Sequence, residues 1–259
     1  MKDVNILTSN GVNVQKSLEL FGDMNTYNET LETFLKEVTQ KIENIKKYKE
    51  VADMANYSIL VHSLKSDSKY FGFEKLAELS LKHEMESKEN NIYAVYDGYD
   101  ELMNEANRIV GIVRQYLGDT ETVIVSEEKV ASVRDKNILV VDDSDLIRNF
   151  IGNIFSSTYG VLIANDGREA IKYLEENKDD KIVAMLLDLN MPNVNGYAVL
   201  DYFNANGLFS KIPVAIITGD GSTEAIQKAF NYKIVDILRK PFNERDVKTI
   251  VDKLVGFHE

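Results

Sequence analysis

Apolar residues in the first half of the chain recur three and four positions apart. Leu31, Phe34, Leu35, Val38, Ile42 and Ile45 mark one buried helical face. A second helix is predicted through Val51, Ala55, Ile59 and Leu60 to about Phe71, with Gly72 breaking it. A third covers Phe73 to about Lys88 on Leu76, Leu79 and Leu81, and a fourth runs from about Ile92 to Leu117, before Gly118. Four amphipathic helices with short connections predict an all-α antiparallel bundle over residues 1–118. After Lys136 the period changes. Five short apolar runs, at 138–141, 161–164, 182–187, 214–217 and 234–238, alternate with helical patterns. Strands buried on both faces and separated by helices predict a doubly wound, five-stranded parallel sheet over 137–259. Residues 119–136 are rich in Thr, Glu, Ser and Lys around Val123-Ile124-Val125, and read as a linker.

Composition narrows the classes without choosing among them. Of 259 residues, 44% are hydrophobic and 28% charged, the balance of a globular protein. There is no cysteine, which excludes disulfides and thiolate metal sites. The N-terminus lacks the apolar core of a signal peptide, and no apolar run approaches the roughly 18 residues of a membrane helix. A cytoplasmic location without membrane insertion is the expectation. The net charge of -12 would repel a phosphate backbone, and no basic stripe interleaved with aromatics offsets it, so direct nucleic-acid binding is not expected.

Candidate chemistry gathers at the strand ends, where open parallel sheets place their sites. The first run ends in Asp142-Asp143, the third in Asp188, the fourth in Thr218 and the fifth in Lys240-Pro241. Three carboxylates converging in one crevice repel one another unless a cation sits among them. Hard oxygen ligands in a small site suit Mg²⁺. Asp188 can then attack phosphorus, with Mg²⁺ and Lys240 offsetting charge on the transferring group and Thr218 donating a hydrogen bond. Taken singly, each of these residues is as readily a helix cap or a turn residue.

The segments Val140-Val141-Asp142-Asp143-Ser144, Asp188-Leu189-Asn190-Met191-Pro192 with Gly196, Thr218-Gly219 and Lys240-Pro241-Phe242 resemble the receiver domain of response regulators. That resemblance implies Asp188 as phosphoacceptor. It implies a Mg²⁺ held by Asp143, Asp188 and the backbone carbonyl of Asn190, with Asp142 acting through water, and a Lys240 salt bridge to the phosphoryl group. Receivers usually carry an aromatic residue three positions before the lysine; here the position is Ile237.

In the first half, His62 is followed by Lys65 and Ser66 on its own helical face, with Lys69 a further turn on. A neutral imidazole is a good nucleophile towards phosphorus near neutral pH, and a neighbouring ammonium favours both that neutral form and the phosphorylated product. Small serines leave room for another domain's active-site mouth to close over the ring. His62, Leu64, Lys65 and Gly72 resemble the pattern of the histidine phosphotransfer (HPt) domain, with Ser66 where that family usually has glycine. Two other histidines, His83 beside Glu84 and His258 near the C-terminus, are expected at the surface.

No glycine-rich ATP-binding segment and no helix-turn-helix pattern accompany these halves, so neither an ATP-dependent kinase nor a promoter-binding output is expected. The favoured reading is a His–Asp phosphorelay protein, not itself a kinase, served by a histidine kinase or other relay proteins. A receiver of this kind would catalyse its own Mg²⁺-dependent phosphorylation and dephosphorylation. The alternative is a phosphorylation-dependent binding switch, with the bundle as dock or inhibitor. A phosphohydrolase of the haloacid dehalogenase type would use Asp143-Ser144-Asp145, but it lacks further carboxylates at a later strand end and leaves His62 without a role.

Overall fold

The computed structural model describes residues 2–118, 136–177, 181–219 and 223–258. The chain divides into two compact units, Met1–Glu127 and Glu128–Glu259. The linker expected at 119–136 falls almost wholly outside the described residues.

The first unit is helical throughout its described residues. Two short helices, α1 (Asn5–Thr8) and α2 (Val14–Phe21), precede four longer ones: α3 (Met24–Glu50), α4 (Met54–Tyr70), α5 (Glu74–Lys88) and α6 (Ile92–Leu117). The long helices match the predicted four. Residues 17–34 resemble the opening helix of an HPt domain, but positive-φ Gly22 breaks that stretch into α2 and the start of α3. Side-chain oxygens cap the starts: Asp23 accepts from the Asn25 and Thr26 amides, Asp53 from Asn56 and Asn91 from Ala94. Phe21, Tyr27, Phe34, Tyr70, Phe71 and Phe73 form an aromatic cluster around the α4–α5 turn, with Phe71 stacked on both Phe21 and Phe73. Gly72, in that turn, has φ +71°, and a Cβ there would lie 2.4 Å from the Asn13 carbonyl oxygen. Only glycine admits both the left-handed backbone and so close a neighbour.

The second unit holds β1 (Asn137–Val141), α7 (Asp145–Phe155), β2 (Gly160–Ala164), α8 (Gly167–Glu176), β3 (Ile182–Asp188), α9 (Gly196–Asn206), β4 (Val214–Thr218), α10 (Thr223–Phe230), β5 (Asp236–Arg239) and α11 (Glu244–Val255). Its five strands are all parallel, in the order β2-β1-β3-β4-β5. The sheet is as predicted. The fifth strand starts two residues later than the apolar pattern suggested, because Ile234 packs against the core from the turn before the strand. Leu139, Val141, Met185, Leu187, Val214 and Ile216 point to one face and pack against α8, α9 and α10.

The chain leaves β1 for β2 on one side and returns to β3 on the other. A crevice therefore opens beyond the carboxyl ends of β1 and β3, which is where a doubly wound sheet binds its ligands. Gly196 starts α9 at that end, and a Cβ on it would lie 2.2 Å from the Asp188 carbonyl oxygen. Gly196→Ala is expected to destabilise the unit by about 1–3 kcal/mol through forced displacement of the β3 end. A urea unfolding midpoint equal to wild type would show that the backbone yields freely there.

Candidate phosphoryl site at the sheet switch point

β1 delivers Asp142 and Asp143 to the crevice, and β3 delivers Asp188. One carboxylate oxygen from each lies within 4.8 Å of the others. Asp142 and Asp188 are buried and Asp143 is half-buried at the mouth. Asp188 Oδ1 accepts from the Asn190 amide at 2.9 Å, and Asp142 Oδ1 accepts from the Ser144 amide at 3.0 Å. These two bonds fix both side chains at the turns that leave the strands.

Lys240, at the end of β5, reaches across the sheet. Its ammonium lies 2.7 Å from Asp142 Oδ2 and donates to Asp188 Oδ2. Its backbone amide donates to the Thr218 carbonyl at 2.8 Å, tying it to the end of β4. Burial alone would lower the lysine pKa, but Asp142, Asp188 and Asp143 outweigh that and hold it well above the ordinary value. Burial raises the Asp142 pKa; Lys240 opposes the rise, and the charges on Asp188 and Asp143 add to it. The cluster thus carries more negative charge than one ammonium offsets. Its all-oxygen donor set and small span fit a divalent hard cation such as Mg²⁺.

Every residue the sequence assigned to this site except Asn190 arrives through its side chain or at the expected strand end. Asn190 lies against the cluster through its amide. Thr218 closes β4 and is buried. Ile237 is half-buried on β5 and packs against the core, so an aliphatic side chain stands where an aromatic was expected. Arg148 was not anticipated. It is buried on α7, donates to the Asp142 carbonyl and pairs with Asp145, which fixes the loop between β1 and α7.

A curated protein, the chemotaxis protein CheY1 of Helicobacter pylori strain J99, is 32% identical over 124 residues, which are 47% of this chain and 98% of that protein. The chain belongs to the response regulator receiver family. The family model described as the response regulator receiver domain matches residues 138–252, all within the second unit. The two-component response regulator ARR5 of Arabidopsis thaliana is 30% identical over 140 residues, 50% of this chain and 76% of that protein. Among solved structures, the receiver domain of the Francisella response regulator 1452 is similar over 48% of this chain and 99% of that one, at 26% identity and a TM-score of 0.43.

The helical unit holds a second polar cluster, and here two expectations are corrected. His62 was expected to present an open ring; it is buried, 3% exposed. His83 was expected at the surface; it is also buried, and its Nδ1 lies 2.7 Å from the Tyr57 hydroxyl. Burial lowers the His83 pKa, which suits a neutral ring held in the core. The side chain of His258 lies outside what is described.

Glu84, next to His83, proves to be the centre of the cluster. Its Oε1 lies 2.6 Å from His62 Nδ1 and its Oε2 2.5 Å from the Lys65 ammonium, while Lys88 reaches Oε1 at 2.7 Å. Lys65 also lies 3.3 Å from His62 Nδ1. That nitrogen cannot donate to Glu84 and accept from Lys65 at once, and the shorter contact with an anionic acceptor prevails. Nδ1 therefore carries the proton. The other ring nitrogen, Nε2, is buried with no hydrogen-bond partner among the described residues. A spacing signal for Glu84 did exist, since His62 and Glu84 lie equally far along the chain on either side of Phe73, in the turn of the α4–α5 hairpin.

Proposed function

We propose that this response regulator carries a phosphoryl group on Asp188 and exchanges it with His62 in a His–Asp phosphorelay. The observation that carries the proposal is the bridging of Asp142 and Asp188 by Lys240 beside a third carboxylate, Asp143. In the receiver, an Asp188 carboxylate oxygen attacks phosphorus. An O–P bond forms, and the donor leaves with the electrons of its own bond to phosphorus. Lys240 shifts its ammonium from the two carboxylates to the incoming phosphoryl oxygens, and the Thr218 hydroxyl donates to another. Asp143, Asp188 and the Asn190 carbonyl would hold Mg²⁺, with Asp142 acting through water; the ion would supply positive charge to offset that of the transferring group.

In the bundle, the lone pair of His62 Nε2 forms the N–P bond while the acyl-phosphate bond of a phosphoaspartate breaks, returning a carboxylate. Nδ1 keeps its proton, and the ring becomes a cation held against Glu84, so no proton need leave. Lys65 adds charge beside it. Phosphoryl groups would come from a histidine kinase or another relay protein, and the chain itself makes none from ATP.

Burial of His62 favours a second reading, in which the receiver alone is phosphorylated and its changed surface engages a partner, with the bundle as dock or inhibitor. Labelling with acetyl phosphate separates the two. A relay protein yields both alkali-labile phosphoaspartate and acid-labile phosphohistidine, and His62→Gln removes only the latter. Wild-type protein that forms phosphoaspartate without phosphohistidine would leave the binding switch as the function.

A further inference from the structure

Serines buried within helices usually return their hydroxyl to the carbonyl one turn back, since that acceptor is always in reach. Ser68 does so to Leu64 at 2.6 Å and Ser87 to His83 at 2.7 Å. Ser66 does not. It is 3% exposed, and its Oγ has no hydrogen-bond partner among the described residues. It sits one helical turn after His62, whose Nε2 is unpartnered and equally buried. Residues so spaced share a face with about 5–6 Å between their Cβ atoms. Ser80 lies as far beyond Phe73 as Ser66 lies before it, and it too is buried with an unpartnered hydroxyl. A buried hydroxyl without a partner gives up its bonds to water and gains none in exchange. A buried, unpaired hydroxyl one helical turn from a nucleophilic nitrogen calls for a ligand that accepts hydrogen bonds.

We infer that Ser66 donates its hydroxyl to a phosphoryl oxygen on His62 Nε2, holding the phosphohistidine rather than merely filling the place of a glycine. The inference rests on the relay reading and extends it to the lifetime of the phosphorylated state. Three acceptor oxygens on Nε2 bring an acceptor to the serine one turn away. Lys69, a further turn on and half-buried, adds a positive charge that makes no ion pair among the described residues. In the resting phosphohistidine the hydroxyl gains a charged acceptor that it otherwise lacks. A donor on its oxygens therefore favours the bound state and slows hydrolysis.

The test uses the full chain with Asp188→Asn, so that the receiver cannot drain the histidine, loaded with potassium phosphoramidate. Ser66→Ala and Ser66→Gly are expected to shorten the phosphohistidine half-life about tenfold, the scale of one hydrogen bond to a charged group. Ser66→Thr, which keeps the hydroxyl, is expected to restore most of it. The ³¹P resonance should shift with Ala and Gly but not with Thr, a signature that a packing role would not produce. The thermal midpoint of Ser66→Ala before loading should not fall, because the hydroxyl has no partner to lose, whereas glycine in mid-helix lowers it through the backbone alone. Half-lives and ³¹P shifts equal to wild type in Ser66→Ala would overturn the inference while leaving the relay intact. A parent chain that takes up no phosphoryl group on His62 would instead remove the relay reading on which it rests.

Discussion

Replacing Asp188 by asparagine is expected to abolish phosphorylation of the receiver by acetyl phosphate, a loss of at least about a hundredfold, without unfolding it. The amide matches the carboxylate in shape and can still accept from the Asn190 amide. It cannot form an acyl phosphate. The electrostatics of the cluster make a second, less obvious prediction for the same variant. Asp142, Asp143 and Asp188 oppose a single Lys240 ammonium, and burial together with their mutual repulsion holds Asp142 above the ordinary carboxylate range. Removing one charge relieves that repulsion, while Lys240 keeps Asp142 as a partner. Without Mg²⁺, Asp188→Asn should therefore melt at or above the wild-type temperature, and added Mg²⁺ should stabilise it less than wild type. Asp143→Asn should likewise weaken the response to Mg²⁺ while leaving Asp188 in place to react. Undiminished labelling of Asp188→Asn would remove Asp188 as the acceptor. A variant that melts well below wild type without Mg²⁺ would show that the carboxylate is chiefly a structural partner of Lys240.

The receiver site was legible because its chemistry is written at strand ends. Asp142-Asp143, Asp188 or Lys240 could each singly be a cap or a turn residue, but all of them end apolar runs, and sheet topology brings those ends together. The bundle was harder to read. Periodicity located α3 to α6 but assigned faces by hydropathy, and on α4 that rule fails: His62, Lys65, Ser66 and Asp67 are polar and buried. Lys41, on α3, pairs with Asp67 at 2.5 Å and donates to Ser63 at 2.9 Å, so Asp67 and Ser63 find a partner on the facing helix. Such cross-helix pairing leaves no local trace in sequence. For the same reason Glu84 was passed over as a neighbour of a surface histidine, although reflecting His62 through the α4–α5 turn finds it. Ser66 could be placed on the face of His62 and seen to replace a glycine; that its hydroxyl lacks the usual helical partner is visible only in three dimensions.

Glu84→Gln should produce the largest loss of stability in the bundle, about 3–5 kcal/mol near neutral pH, because it removes the anion from a buried network without removing the cations. Glutamine keeps the size of the side chain and one carbonyl acceptor. Lys65, whose side chain is only 4% exposed, is left without its carboxylate, and His62 Nδ1 loses its anionic acceptor. The pH dependence has a definite sign. Burial acts to raise the Glu84 pKa, but the hydrogen bonds and charges of His62 and Lys65 prevail and hold it far below its ordinary value of 4.5. A group so depressed stabilises the fold fully above the unfolded value, and that contribution drains away as pH falls below it. Wild type and Glu84→Gln should therefore differ most above the ordinary value of 4.5, and the gap should shrink steadily as pH falls below it, closing only towards the depressed folded-state value. Urea midpoints followed by far-ultraviolet circular dichroism across that range measure the gap directly. Equal midpoints at neutral pH would mean that the lysines find water as readily as they find Glu84. A gap that stays constant into acid would mean that packing, rather than charge, makes Glu84 matter. The convergence is what ties the stability of the helical unit to the same carboxylate that sets which nitrogen of His62 carries the proton.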